Sequence, residues 1–355
     1  MKSAKICIIG GGIAGLASAI FLKRAGFEVS VYEQANRLGQ GGFAFLLLAN
    51  GLDVLKRAGL IDQIYKEGDI INQLILNDET NITLEVKALR DALCIRRTTL
   101  CTILSSNIPA DLIQSGHQFT HFLRDKNGFA THACFKNGHV AEADIFIGAD
   151  GTRSLVRSEI DSQYQMPEVM IRELVSYVKI APPLRNSLVK FQHKKGSLAA
   201  GYVPINNESV NWYMQFDAKY WDLHEAKDKK LFSQEMIGYF PEPIPAFIEL
   251  TDFATSHLWS TTNMHELPKF YDKNILIIGD AAHTFSPFSS QGVNAALQDA
   301  FLFADILSTA INLTGAMGAY TALRLPSINF FMNRGKEMMR TFLSPEKNSF
   351  IPLVS

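Results

Sequence analysis

The segment that most restricts the fold lies at the amino end. It reads Ile6-Cys7-Ile8-Ile9, then Gly10-Gly11-Gly12-Ile13-Ala14-Gly15, then a helix-like stretch from Leu16 to Arg24. A wholly apolar four-residue run fits a strand buried on both faces, the habit of parallel sheets. The glycines meet the G-x-G-x-x-G pattern at Gly10, Gly12 and Gly15. The first allows a tight turn, the second lets backbone approach a pyrophosphate, and the third lets helix and strand pack closely. A second strand, Val29-Ser30-Val31-Tyr32, ends at Glu33, about twenty residues beyond the motif, where a carboxylate accepts hydrogen bonds from ribose hydroxyls and repels a 2′-phosphate. The glycine pattern alone is a weak signal. With strand, helix and acid in register it specifies a β-α-β unit that binds a dinucleotide through Gly10, Gly12, Ala14, Gly15, Glu33 and the adjoining Gln34.

A second informative stretch lies near the other end. Ile275-Leu276-Ile277-Ile278 reads as a buried strand, followed by Gly279-Asp280-Ala281-Ala282-His283, Pro287 and Ser290-Gln291-Gly292-Val293-Asn294. A helix is expected over Ala295 to Ile306. An acid at a strand end and a glycine-bearing helix start suit a polar cofactor. Asp280 reads as a cofactor ligand in preference to a turn cap, and His283 as a structural histidine near a strand end.

Between these stretches the chain changes character. A helix over Asn50 to Ala58 is capped by Gly59. Ile70 to Leu76 and Ile82 to Val86 read as strands joined by the turn Asn77-Asp78-Glu79, and Thr98 to Leu104 as a helix. Phe119 to Arg124 and Ala130 to Phe135 bracket a hairpin turn at Lys126-Asn127-Gly128, and Asp144 to Gly148 is a further buried strand. From about Glu173 to Leu258, strand-like runs at Leu174 to Ile180, Ser197 to Val203 and Val210 to Phe216 point to an antiparallel sheet. A helix over Ala226 to Tyr239 follows. Tyr202, Tyr213 and Phe216 can line a pocket for a flat substrate, although alternating aromatics on a strand more often serve sheet packing. The expected division is a discontinuous dinucleotide domain, 1–70, 95–172 and 265–355, with 71–94 and 173–264 as an inserted substrate domain.

Composition narrows the function. The 355 residues are 47% hydrophobic with a net charge of −1, enough for a sizeable core and without the basic excess of a nucleic-acid binder. Cys7, Cys94, Cys101 and Cys134 form no C-x-x-C pair and read as reduced thiols of a cytoplasmic protein. No apolar run approaches the roughly eighteen residues of a membrane span. No metal-ligand spacing is present, and no feature points to an oligomeric state.

Four blocks together resemble the single-component FAD-dependent aromatic hydroxylases, the p-hydroxybenzoate hydroxylase family: Gly10–Gly15 with Glu33, Arg97-x-x-Leu100, Asp144 to Arg157, and Gly279 to Asp299. The closing Tyr320-to-Pro326 segment fits as well. The resemblance implies a Rossmann-type FAD-binding domain with an inserted antiparallel substrate domain. It implies a monooxygenase that takes electrons from NADH or NADPH. One atom of O2 then passes to an aromatic or polycyclic small molecule through a flavin C4a-hydroperoxide. Arg97 would reach the flavin cofactor, and Asp150-Gly151 would serve both FAD and the nicotinamide donor. Asp280 would bind the ribityl chain, Ser290 to Asn294 would present amides to the flavin, and Pro287 would line the reacting face. No side-chain catalyst is implied. Two positions depart from the family: Ser290 stands where glycine is usual and Gln298 where an acid is usual. Other flavoenzymes on this fold (epoxidases, antibiotic-inactivating hydroxylases, prenyl-chain reductases) and a non-catalytic flavin binder are the alternatives.

Overall fold

The computed structural model describes residues 4–39, 43–221, 228–261 and 265–344. Its central element is a six-stranded sheet in the order Tyr271–Asp272, Ile275–Ile277, Ile145–Gly148, Lys5–Ile9, Glu28–Glu33, Ile113–Ser115. Every pairing is parallel except the Tyr271–Asp272 edge. The inner strands are buried along their length, with Ile8, Phe146, Ile147 and Ile275–Ile277 all inaccessible, which explains why their sequences are apolar without alternation. The Ile13–Arg24 helix is apolar almost all round because it is enclosed between this sheet and the long Gly292–Thr309 helix.

A seven-stranded sheet forms the second layer. Its order is His257–Thr261, Ile171–Val178, Ser209–Asp217, Leu198–Asn206, Ser187–Gln192, Gln73–Asp78, Thr83–Ala88. The middle of the chain thus forms a sheet separate from the parallel one, as its strand pattern predicts. One pair corrects the purely antiparallel expectation: Ser187–Gln192 runs parallel to Gln73–Asp78, which arrives from a distant part of the chain. One face of this sheet is covered by the Lys229–Ile237 and Ile244–Leu250 helices through a core of Leu174, Val189, Phe191, Trp212, Met214 and Phe247. The start of the expected Ala226–Tyr239 helix lies outside the described residues.

The sequence-predicted hairpin is present as Phe119–Arg124 and Ala130–Phe135, with Val140–Glu142 as a third strand. A small sheet of Ala44–Leu47, Leu93–Arg96 and Asp69–Ile70 stands between the layers. Leu48, Ile71 and Cys94 from this region pack with Val203 of the large sheet. The chain closes with the Leu313–Leu343 helix. Among the described residues no helix is long and apolar enough to cross a membrane.

Candidate flavin site

The glycine turn is shaped by close contacts. Gly10 has φ +112 and donates its N–H to Tyr32 O at 2.8 Å. A Cβ at Gly10 would lie 2.2 Å from Ala149 O, and one at Gly15 would lie 1.9 Å from Gly10 O. Both positions therefore require glycine for packing alone. Gly12 differs: it has ordinary extended backbone at the N-cap of the Ile13–Arg24 helix, and a Cβ there would meet nothing within 4 Å. Open space in front of a helix start is what a bound pyrophosphate requires. Beside it, Glu33 is fixed by two backbone donors, Gly11 N–H at 2.7 Å to Oε2 and Ala35 N–H at 2.8 Å to Oε1. Each carboxylate oxygen keeps further acceptor capacity. Gln34 is exposed next to it.

The carboxyl-terminal half arrives at the same place. Gly279 has φ +58, and a Cβ there would sit 2.9 Å from the Ala14 Cβ and 3.4 Å from the Ala296 Cβ. The first turn of one helix and the early part of another, hundreds of residues apart in sequence, thus flank a single glycine. Asp280 follows in a short 3-10 turn, with one carboxylate oxygen 3.9 Å from where a Gly292 Cβ would be. Its side chain is solvent-accessible yet surrounded by protein, the condition of a group lining a cleft. Burial raises its pKa, while the charges of His283, Arg97 and Arg157 pull it back. Arg97 opens the Arg97–Ser105 helix, and its N–H donates to Phe43 O at 2.7 Å.

The Gly292–Thr309 helix begins where the glycine-bearing stretch predicts. Ser290, just before it, takes φ +53 and ψ +23. It therefore keeps the left-handed backbone that the usual glycine adopts without cost. Asn294 is fully buried and does not face the cleft: its Oδ1 accepts from Leu48 N–H at 3.0 Å, and its Nδ2 donates to Leu46 O and Ser290 O at 3.1 and 2.7 Å. It ties the helix start to the Ala44–Leu47 strand. Gln298, the second departure from the family, has a structural partner: Asn50 Nδ2 donates to Gln291 Oε1 at 3.0 Å and to Gln298 Oε1 at 3.3 Å. Gln291 and Val293 are buried, and Pro287 begins the short turn ahead of Ser290.

Asp150 is held by the fold: its carboxylate accepts from Ser154 Oγ–H at 2.5 Å, Leu155 N–H at 2.8 Å and Val156 N–H at 3.1 Å, at the start of the Leu155–Ile160 helix that Ser154 caps. Arg157 ties this loop to the Asp280 turn by donating to Ala281 O at 3.0 Å. Tyr202 and Phe216 do not line the cleft. Both are buried on the helix-covered face of the large sheet, with their rings against Phe247 and Phe232. Strand alternation puts Tyr213 on the other face.

A buried ion cluster that local sequence pattern does not reveal stands behind the site. Asp299 is fully buried and accepts from Gly279 N–H at 2.8 Å and Arg324 Nε–H at 2.7 Å, with His283 Nε2 at 2.5 Å. Burial pushes its pKa up, but the His283 and Arg324 charges and the hydrogen bonds outweigh it and hold the pKa well below the usual range. The cluster fixes the left-handed Gly279 that aims Asp280. His283 is thus structural, as its sequence context predicts.

Comparison with known proteins decides the family. The family model described as FAD binding domain matches residues 3–329. The chain belongs to this FAD-binding family. It is 25% identical over 341 residues to a 6-hydroxynicotinate 3-monooxygenase of Bordetella bronchiseptica, covering 90% of this chain and 86% of the relative. It is also 25% identical over 343 residues to an FAD-dependent urate hydroxylase of Klebsiella oxytoca, covering 90% and 85%. Its fold matches the crystal structure of Klebsiella pneumoniae HpxO complexed with FAD and uric acid, with a TM-score of 0.85 and 18% identity over 94% of this chain and 87% of that one. The protein is an FAD-dependent monooxygenase.

Proposed function

We propose that this monooxygenase consumes NADH or NADPH and places one oxygen atom of O2 on an aromatic or polycyclic small molecule held between the two large sheets. The carrying observation is the meeting of Ala14 and Ala296 across Gly279, which brings two helix starts, Glu33 and Asp280 around one cleft. In this reading residues 1–70, 95–172 and 265–355 form the FAD-binding unit, and 71–94 and 173–264 the substrate unit.

When bound, FAD supplies the electron transfer from the nicotinamide and the activation of dioxygen. The chain's own residues then have these tasks. The Gly10–Gly15 turn with Ala14 takes the pyrophosphate on open backbone at Gly12. Glu33 accepts from the ribose hydroxyls, with Gln34 flanking. Asp280 accepts from the ribityl hydroxyls, and Arg97 adds positive charge beside it. Asp150 serves the cofactor and holds the start of the helix that carries Arg157. The free N–H groups of Gly292 and Val293 offer the positive end of a helix to the charge carried by reduced flavin. Ser290, Gln291 and Asn294 set the path of that turn, and Pro287 closes over the reacting face. The apolar surroundings exclude water from it.

The test is oxygen uptake by the FAD-loaded protein with NADH or NADPH, in the presence of a panel of aromatic compounds. At least one compound should stimulate uptake with a matching yield of hydroxylated product. Flavin reduction with no oxygen atom in any product would assign a reductase instead.

A further inference from the structure

The face of the seven-stranded sheet opposite its helix-covered core, where Ala199 packs with Phe288 and Phe342, carries a polar group that the FAD-binding residues do not explain. Cross-strand register sets one row as Val175, Tyr213, Gly201 and Lys190, and the next as Glu173, Gln215 and Ala199. Partners in a row point to one face, so Glu173, Lys190, Tyr213 and Gln215 all face away from the helix-covered core. Gly201 lets Tyr213 reach across: a Cβ there would lie 2.4 Å from the Tyr213 hydroxyl. Lys190 Nζ donates to Gln215 Oε1 at 3.3 Å, and Gln215 Nε2 donates to Glu173 Oε2 at 2.5 Å. The glutamine stands between ammonium and carboxylate, which form no direct ion pair.

Two aromatic rings place this cluster beside the proposed reacting face. Lys190 Nζ lies 4.9 Å from the Phe288 ring centroid and 5.4 Å from that of Phe342. Phe288 is the residue after Pro287. An ammonium has three donors, and among the described residues only Gln215 accepts from this one. A cation at such a site calls for a counter-ion. Burial lowers the Lys190 pKa to about 8, with the Glu173 charge pulling it back, and burial raises that of Glu173.

We propose that Lys190 is the substrate anchor, binding an anionic oxygen, carboxylate or phenolate, carried by the aromatic ring. Gln215, itself held by Glu173, takes one donor of the ammonium and so orients it, leaving the other two donors for the ligand. The Phe288 ring holds the lysine by cation–π attraction. The bound anion then lies beside Phe288, the residue that follows Pro287. This inference rests on the proposed flavin position.

The test compares binding of matched probes to FAD-loaded wild type, Lys190→Met, Lys190→Arg and the exposed control Lys194→Met by equilibrium dialysis. Benzoate against benzamide reads the carboxylate, and para-nitrophenol against para-nitroanisole reads the phenolate. Methionine retains contact with the rings, and FAD content with melting temperature verifies each fold. Wild type should favour at least one anionic probe over its neutral counterpart by about tenfold or more. Lys190→Met should abolish that preference without changing neutral binding, Lys190→Arg should restore part of it, and Lys194→Met should behave as wild type. Equal binding of charged and neutral probes to wild type, absence of binding included, or a preference that survives Lys190→Met, overturns the proposal. Failure of wild type to take up FAD is a different result and overturns the flavin reading instead.

Discussion

Gly12 and Gly15 are three residues apart, yet a side chain harms them for unrelated reasons. At Gly15 a methyl group meets a carbonyl oxygen at 1.9 Å, whereas at Gly12 it meets only open space. Gly15→Ala should therefore destabilise the fold by about 3 kcal/mol or more, read as a lower denaturation midpoint. Gly12→Val should melt with the wild-type apoprotein and fail to retain FAD. A flavin-loaded Gly12→Val would contradict the use of that space by the pyrophosphate. Ser290 makes a third case. Its left-handed backbone carries a side chain with no hydrogen-bond partner among the described residues, so Ser290→Gly should stabilise by roughly 0.5–1 kcal/mol. Loss of stability on chemical denaturation would show that the serine has a contact of its own.

At the scale of elements, much was legible because the signals are local. A strand, a glycine turn and a helix follow one another within the first two dozen residues, and Lys126-Asn127-Gly128 marks its hairpin through turn chemistry. Other features depend on partners that local pattern does not reveal. The Ser187–Gln192 strand escapes a reading by apolar runs because Lys190 interrupts it, and that interruption is the residue the cleft uses. Residue type groups Tyr202 and Phe216 with Tyr213, and only register separates their faces. Asp150 resembles a ligand in sequence, and only the structure shows that its carboxylate also holds the start of the next helix. The same limit explains the Asp299 cluster, whose members His283 and Arg324 lie 16 and 25 residues away. The local signal is an acid, Asp299, set among the apolar residues of the Gly292–Thr309 helix.

For the whole molecule, that cluster links the site to stability. Removing one partner of a buried ion group costs roughly 3–5 kcal/mol, so Asp299→Asn should lower stability by about that much at neutral pH. The folded-state pKa of Asp299 is depressed. Its contribution is thus fully present above the unfolded value of about 3.9 and fades as pH falls toward the folded value. The stability gap between wild type and Asp299→Asn, measured by urea unfolding, should narrow below about pH 4. A gap unchanged across that range would remove Asp299 from the account. The cluster also explains how a carboxyl-terminal turn is held firmly enough to share a cofactor with the amino-terminal one.

That sharing is tested most directly by titrating FAD into the purified apoprotein and into Glu33→Ala and Asp280→Ala, following quenching of flavin fluorescence. Uptake of FAD should saturate at one per wild-type chain, with weaker binding when either carboxylate, at opposite ends of the sequence, is removed. A well-folded wild-type protein that leaves the fluorescence of added FAD unchanged would contradict it.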